Sequence, residues 1–587
     1  MQRTADFIKS RGEQKNIKEG ADVAASEETA RRTLEDRVKS FNPEQRHVYR
    51  EFEDDLKKGL PSKRVVLIEP GGTGKSYLID TMTLKINRSL GLDNVLEGET
   101  SGGSRHTLLV KTAFTGVAAS NTGGFTLHSA LECAGRSMMS EMSEATLLRL
   151  QRDWESVKVL VIDEISFVSA ASFNTISQRL GELFPSRSHL PFGGLHVLLC
   201  GDPFQLSPAG ARPLWLQKKS PSIPIRERMG IDLYIECDAY FELSVGQRNH
   251  GPFYDALSEI QVGEPSAEGL RYLNSRHDPA LKLNPDCRWT DSTVIVGMNK
   301  EVQAYNDAAF KRDCLTPDDR GQLKKTARAW KQIAVGRDKE GDPVRTQQEK
   351  QSIIRRCLSR RRSTRGIDQF VPNSLSLYVG QRVMLTYNMF VELGLFNGAT
   401  GVVYRIFGGK DVDPHESKEE ACNRMASSVE QDNPPYDLPV VLVQLDSSGY
   451  REPSLSKVTP GVIAISAVRK GIQIPVPATV YQLPLVQANA VNVHKTQALT
   501  IDKIVIDASK FFAPASWYVA LSRVRSRDDV TLVHPISLED FSSRGQVKAI
   551  ADISDHVEYF RMRFSALFRP PNEEDSGDVS TPIDPYE

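Results

Sequence analysis

Two apolar patterns take turns along the chain. Short continuous runs of strand length fall at 64–68, 107–112, 157–162 and 195–200, and stretches with helical spacing separate them. Unbroken apolar runs fit strands buried on both faces. Their alternation with helices predicts βαβ units around a parallel sheet between residues 41 and 243. A second alternating region begins at Thr293-Val294-Ile295-Val296 and resumes with Lys503-Ile504-Val505-Ile506 and Val530-Thr531-Leu532-Val533. Between its two parts, at 376–480, lie Val383-Met384-Leu385, Gly401-Val402-Val403 and Val440-Val441-Leu442-Val443 with turn residues among them. That pattern suits a small antiparallel barrel inserted in the second α/β domain.

The expected organisation is therefore a polar, loose or helical extension at 1–40, then a first α/β domain at 41–243 with a small accessory insertion. The second α/β domain follows in two parts, 244–375 and 481–560, around the barrel at 376–480, and a Pro-, Asp- and Glu-rich tail at 569–587 is expected to be disordered. No run approaches 18 apolar residues, so no membrane-spanning helix is expected.

Composition changes this picture little. Of 587 residues, 40% are hydrophobic and 25% charged, which excludes a wholly disordered, collagen-like or coiled-coil chain. The 74 basic and 75 acidic residues leave a net charge of −1, so only local patches can speak for a nucleic-acid partner. One such patch is 324–366, with 14 Lys/Arg against 4 Asp/Glu and the run Arg360-Arg361-Arg362. A solvated loop, a nucleic-acid contact and a nuclear-import signal are all compatible with it. Seven cysteines without a C-x-x-C pair argue against a metal or disulfide framework and fit a reducing intracellular compartment. No signal-peptide core opens the chain, and Asp6 and Glu13 argue against a mitochondrial transit peptide.

The candidate chemistry is concentrated after two of the strands. Val65-Val66-Leu67-Ile68-Glu69-Pro70-Gly71-Gly72-Thr73-Gly74-Lys75-Ser76 runs from a buried strand through a glycine loop into a helix. Glycines let backbone N–H groups close around phosphate oxygens at a helix N-terminus, where the dipole favours anions. Gly71, Gly72, Thr73 and Gly74 would form this cradle, Lys75 would reach the outer phosphates, and Ser76 would ligate Mg²⁺. Glu69 stands where the usual pattern has glycine. The run 157–162 then delivers Asp163 and Glu164 to a strand end, Asp163 as a Mg²⁺ ligand and Glu164 to polarise the attacking water. These residues together call for a phosphate chain and Mg²⁺, and ATP is the nucleotide that the family resemblance given next implies.

Further segments carry a family resemblance. Gly201-Asp202-Pro203-Phe204-Gln205-Leu206 resembles motif III of superfamily 1 helicases, and Val245-Gly246-Gln247-Arg248 resembles motif IV. Val493-His494-Lys495-Thr496-Gln497-Ala498 resembles motif V, and Tyr518-Val519-Ala520-Leu521-Ser522-Arg523 resembles motif VI. Phe41-Asn42-Pro43-Glu44-Gln45 looks like a Q motif. Thr112-Ala113-Phe114-Thr115-Gly116, with Thr126-Leu127-His128-Ser129, looks like motif Ia and its extension. In order and spacing these are similar to the petite-integration-frequency helicases of superfamily 1B, over about 41–545. Ala498 departs from the glycine usual in motif V, and a loop needing positive φ there would be strained.

The resemblance implies two RecA-like P-loop domains clamping one nucleotide, with the barrel inserted in the second. It gives Gln45 the adenine edge, Gln205 the γ-phosphate, and Arg248 and Arg523 the part of arginine fingers. Phe114, His128, His494 and Lys495 become candidate contacts to single-stranded DNA; core packing remains open for Phe114, a helix-start role for His128 and interdomain coupling for His494 and Lys495. The implied activity is ATP-dependent 5′→3′ translocation on single-stranded DNA with unwinding at duplex junctions, in replication, repair, recombination or telomere maintenance. In a eukaryotic cell, nuclear or mitochondrial placement would follow. A nucleic-acid-stimulated translocase that does not unwind, or a binding scaffold with a decayed site, are the alternatives, the latter motivated by Glu69 and Ala498.

Overall fold

The computed structural model describes residues 34–59, 61–70, 73–89, 107–133, 142–215, 222–244, 251–278, 292–314, 325–330, 332–335, 374–389, 394–409, 438–446, 461–473, 477–511, 515–542 and 544–565. The chain divides into two compact units. One comprises Met1–Phe114, Asn121–Tyr254 and Ser543–Glu587, the other Thr115–Ser120 and Asp255–Ser542.

The first unit is built on a parallel sheet of β1 (Arg64–Ile68), β2 (Leu109–Ala113), β3 (Phe125–Thr126), β4 (Val159–Asp163), β5 (His196–Gly201) and β6 (Ala239–Glu242), in the order β3-β2-β4-β5-β1-β6. The continuous apolar runs are buried on both faces, as their pattern required. Val66, Ile68, Leu160, Ile162, Val197 and Leu199 point into one core. Val65, Leu67, Val159, Val161, Leu198 and Cys200 point into the other. Helices α1 (Pro43–Lys58) and α2 (Lys75–Ser89) cover the second of these faces through Val48, Phe52, Leu78 and Met82. On the opposite face lie α3 (Ala170–Leu183) and α4 (Ile225–Ile235).

The second unit has its own parallel sheet. Its members are β7 (Thr293–Val296), followed by α5 (Asn299–Cys314), and three later strands described below. Between them come β8 (Thr326–Trp330), β9 (Gln332–Val335), β10 (Ser374–Tyr378), β11 (Arg382–Leu385), β12 (Thr400–Phe407), β13 (Val440–Leu445), β14 (Val462–Ile465), β15 (Val468–Gln473), β16 (Pro477–Gln482) and β17 (Leu485–Gln487). The parallel sheet closes with β18 (Ala490–Asn492), β19 (Ile504–Asp507) and β20 (Val530–Leu532), in the order β18-β7-β19-β20. The interrupting strands are antiparallel: a five-stranded sheet β14-β13-β12-β11-β17, a pair β10-β8 and a three-stranded sheet β15-β16-β9. The five-stranded sheet and the β10-β8 pair share an apolar core around Leu377, Val383, Leu385, Val403, Val441 and Val443.

Two sequence expectations are corrected here. The basic stretch 324–366 is not loop throughout: β8 and β9 fall inside it and pair with β10 and β16, while residues 336–373 lie outside the described residues. Residues 544–560, assigned by sequence to the second domain, belong to the first unit. They form most of α6 (Arg544–Arg563), whose Ile553, Val557 and Phe560 share one helix face and fill the core beside Tyr234 and Tyr240. Arg561 seals this docking with a two-pronged ion pair to Glu242 on β6, at 2.7 and 2.9 Å. Among the described residues no helix is long and apolar enough to cross a membrane.

Candidate phosphate-binding site

The ends of β1, β4 and β5 lie together at the carboxyl edge of the first sheet, the edge where open α/β sheets bind ligands. β5 separates β4 from β1, which puts the latter two about 10 Å apart at the usual strand spacing. The lysine arm bridges that gap. Lys75 is the first residue of α2, and its Nζ donates to Asp163 Oδ1 at the end of β4 over 2.6 Å and also pairs with Glu69. The arm is 14% exposed. Burial alone would push the ammonium down, but the carboxylates of Asp163, Glu69 and Glu164 outweigh it and hold Lys75 well above its ordinary range.

The loop between β1 and α2 shows why glycine is needed in it. Gly74 has φ +90°, a conformation open to glycine at little cost. Thr73 is fully buried and its hydroxyl donates to Glu69 Oε2 and to the Pro70 carbonyl, both at 3.2 Å. Gly71 and Gly72 lie outside the described residues. Ser76 follows Lys75 in the first turn of α2 and is half-buried. Burial pushes the Glu69 carboxyl up to about 8, with Lys75 pulling it down and Asp163 pushing it further up.

Glu164 holds a left-handed backbone, φ 54° and ψ 53°, and is buried. A carboxylate residue forced into this region costs of order 1 kcal/mol or more and marks a place where side-chain aim matters. Two contacts hold the turn. The Glu164 N–H donates to Asp163 Oδ1 at 2.8 Å, and Gly201 at the end of β5 lets the chains pass closely, since a Cβ there would sit 2.9 Å from the Ile165 nitrogen. Just beyond β5, Gln205 is buried and its Oε1 has no hydrogen-bond partner among the described residues. A buried carbonyl oxygen left open costs free energy until a donor arrives.

Gln45 reaches the same loop from α1. Its Oε1 accepts from the Asn42 N–H at 3.2 Å, Asn42 Oδ1 accepts from the Gln45 N–H at 2.8 Å, and its Nε2 donates to the Thr73 and Gly74 carbonyls at 3.4 and 3.5 Å. The side chain thus ties α1 to the loop backbone. Phe114, just after β2, meets His128 edge-on at 5.3 Å between ring centroids and lies parallel to Phe167 at 6.4 Å. Burial lowers the His128 imidazole, favouring its neutral form.

The remaining candidates belong to the second unit or lie outside the described residues, as Arg248 does. His494 and Lys495 sit in a one-turn helix, Val493–Thr496, capped by Asn492, and burial lowers both of their side chains. Arg523 is buried. Its Nε donates to the Val519 carbonyl at 2.8 Å, its Nη1 to those of Thr496 and Leu499 at 3.2 and 3.3 Å, and its Nη2 to the Ser522 hydroxyl at 2.8 Å. These bonds clasp the turn containing Ala498, which has φ +62°.

The structure therefore gathers Lys75, Thr73, Gly74, Gln45 and Asp163 around one loop, with Glu164 beside them. Two contributors escaped the sequence reading. Glu69 counted there only as a departure from pattern, although a carboxylate one residue past a buried strand was the available signal. Phe167 had none beyond its place three residues after Glu164. Lys75, the hydroxyl of Ser76 and the carboxylate of Asp163 form a donor set suited to a phosphate chain with a hard cation such as Mg²⁺.

Known proteins resemble this chain in sequence and in fold. Residues 40–220 match the family model for PIF1-like helicases. The chain is 27% identical over 515 residues to the ATP-dependent DNA helicase PIF1 of Danio rerio, covering 86% of this chain and 63% of that protein. It is 25% identical over 540 residues to the ATP-dependent DNA helicase Pif1 of a Psychrobacter species, covering 85% of this chain and 70% of that one. Against a Trypanosoma brucei relative, PIF7, it spans only 46% of the relative's length. In fold it matches the Pif1 helicase of Candida albicans, with a TM-score of 0.55 at 20% identity over 88% of this chain and 99% of that one. It also matches a Bacteroides Pif1 solved bound to single-stranded DNA, with a TM-score of 0.54 at 20% identity over 88% and 96%.

Proposed function

We propose that this chain, which belongs to the PIF1-like helicases, is an ATP-dependent DNA helicase that moves 5′→3′ on single-stranded DNA and opens duplex at junctions. The observation that carries the reading is the Lys75–Asp163 contact at 2.6 Å, which ties the glycine loop to an acidic strand end beside a left-handed Glu164. That is the arrangement needed to hold a triphosphate and attack it with water.

In this reading Lys75 and the loop amides bind the β- and γ-phosphates, and Ser76 and Asp163 hold Mg²⁺. The ion, when bound, neutralises charge on the phosphoryl group. Glu164 takes a proton from the attacking water. Gln205, with its open Oε1, orients that water or senses the γ-phosphate. Gln45 holds the loop, and contact with an adenine edge requires its amide to exchange partners. Arg248 and Arg523 act on transition-state charge. Arg523 must give up part of its clasp on Thr496 and Leu499 to do so, which would couple hydrolysis to the turn bearing His494 and Lys495.

The DNA reading rests on the motif resemblance and on relatives named as DNA helicases. Phe114, His128 and Phe167 offer aromatic faces for bases, and His494 and Lys495 offer polar contacts. The antiparallel strands between β7 and β18 we read as the small barrel of the second RecA-like unit. Polarity rests on the superfamily 1B likeness of motifs Ia and V.

The test is hydrolysis with and without single-stranded DNA, then strand displacement on duplexes with a 5′ or a 3′ tail. DNA-stimulated hydrolysis with displacement of the 5′-tailed substrate alone is expected. Displacement from the 3′-tailed substrate alone would overturn the polarity, stimulated hydrolysis without displacement would identify a translocase, and no hydrolysis would identify a scaffold.

A further inference from the structure

The phosphate loop contains its own anion. Glu69 follows β1 directly, and its N–H still donates to the Gly201 carbonyl at 3.2 Å, so the sheet fixes the backbone from which the side chain departs. The side chain turns inward and is 6% exposed. One carboxylate oxygen pairs with the Lys75 ammonium and the other accepts the Thr73 hydroxyl. Both partners belong to the loop that should wrap phosphate. Lys75 has three protons to give, and the two carboxylates of Glu69 and Asp163 already take two positions around it. Three acids, Glu69, Asp163 and Glu164, thus act on a single ammonium in a site meant for a highly charged anion.

Resting on the nucleotide-site reading, we propose that Glu69 is an internal counter-anion that occupies Lys75 in the empty site and must release it when a nucleoside triphosphate enters. Glu69 is then a positioning and specificity residue. It opposes phosphate binding in proportion to the charge of the incoming chain and keeps the lysine aimed into the loop between turnovers. Two features favour this over a purely structural strap. A strap needs no charge, since a neutral amide would bond Thr73 equally well. Nor does a strap require the partner to be the one side chain that the phosphates also need.

The experiment measures affinity of the full chain for three probes by isothermal titration at about pH 9, above the value of about 8 to which burial raises the Glu69 carboxyl, so that it is ionised: ATP, pyrophosphate and adenosine, each with Mg²⁺. The variants are Glu69→Gln, which keeps the shape and removes the charge, and Glu69→Gly, which restores the usual loop residue. Lys75→Ala serves as the control. Expected is that Glu69→Gln tightens ATP and pyrophosphate by about tenfold, the scale of one partly buried charge interaction, and leaves adenosine unchanged. Unchanged or weaker ATP and pyrophosphate binding in both Glu69 variants, with Lys75→Ala abolishing it, would overturn the proposal while leaving the site intact. Lys75→Ala binding ATP as tightly as the native chain would instead overturn the site reading. Melting curves of each variant show whether it is folded. Should Glu69→Gln fail to fold, Glu69→Gly carries the same expectation.

Discussion

The two parallel sheets place a strand, a turn and a long helix in the same order, yet only one arrangement is fit for phosphate. After β1 the chain takes six residues, Glu69 to Gly74, before α2 begins at Lys75. After β7 it takes two, Gly297 and Met298, before α5 begins at Asn299. The short turn leaves no room for a cradle: a Cβ at Gly297 would sit 2.1 Å from the Lys510 carbonyl oxygen. The start of α5 is also already served, because Glu301 in its own first turn accepts from the Met298 N–H at 3.1 Å. The first turn of α2 carries no acid, and its anion comes from Glu69 upstream. A helix N-terminus attracts negative charge wherever it stands. What makes a site is whether that charge is built into the helix or can be exchanged for a ligand.

The strongest test of this contrast exchanges one lysine in each unit. Lys75→Ala should cut ATP hydrolysis by at least about 10²–10³-fold, the scale of losing one preorganised transition-state donor. Lys300→Ala, at the exposed start of α5, should leave nucleotide affinity within about twofold. Steady-state hydrolysis and titration with ATP read both, and a comparable loss of affinity in the second variant would erase the distinction.

Next in size, Arg523→Ala should destabilise the second unit by about 1–2 kcal/mol, since it removes the guanidinium bonds to the carbonyls of Val519, Thr496 and Leu499, of which Val519 keeps the Ser522 hydroxyl and Thr496 the Leu499 N–H. Urea unfolding would show the loss as a lower midpoint, separable from any fall in turnover. An unchanged midpoint would mean that the clasp contributes nothing to stability.

The first unit should respond to acid through α6. Burial pushes the His556 imidazole down to about 3, against an ordinary value of 6.5, so the unfolded chain binds its proton first as pH falls. Stability from the neutral form is complete above about 6.5 and is lost as pH falls toward about 3. His556→Phe, within reach of Tyr234 and Phe560, should flatten the decline in melting temperature between neutral and mildly acid pH. A native-like slope in that variant would place the acid sensitivity elsewhere. The smallest effect expected is at Ala498, where φ is +62°. Ala498→Gly should stabilise the second unit by about 1 kcal/mol by relieving that conformation, read as a raised urea midpoint.

Local pattern made much of this legible. The runs read at 64–68 and 195–200 became β1 and β5 within a residue, because strands buried on both faces leave an unbroken apolar signature. The motif V likeness foretold strain at Ala498, since the family's glycine implied positive φ. The destination of α6 was not legible: Ile553, Val557 and Phe560 announce an amphipathic helix but not which core receives it. Glu69 stayed hidden for a different reason. Its meaning depends on a side chain folding back along its own loop toward Lys75, a tertiary fact that no spacing encodes.

The placement of α6 has a consequence for how the protein is made. The second unit, Asp255–Ser542, has almost all of its chain available before the ribosome reaches α6. The first unit begins earlier yet lacks Ile553, Val557 and Phe560 until synthesis has passed the second. A nascent chain therefore carries an open apolar groove beside Tyr234 and Tyr240 while some three hundred residues are added. At about 5–20 residues per second that exposure lasts tens of seconds. Chaperone demand during translation should fall on the amino-terminal half, and α6 acts as the stopper that ends it.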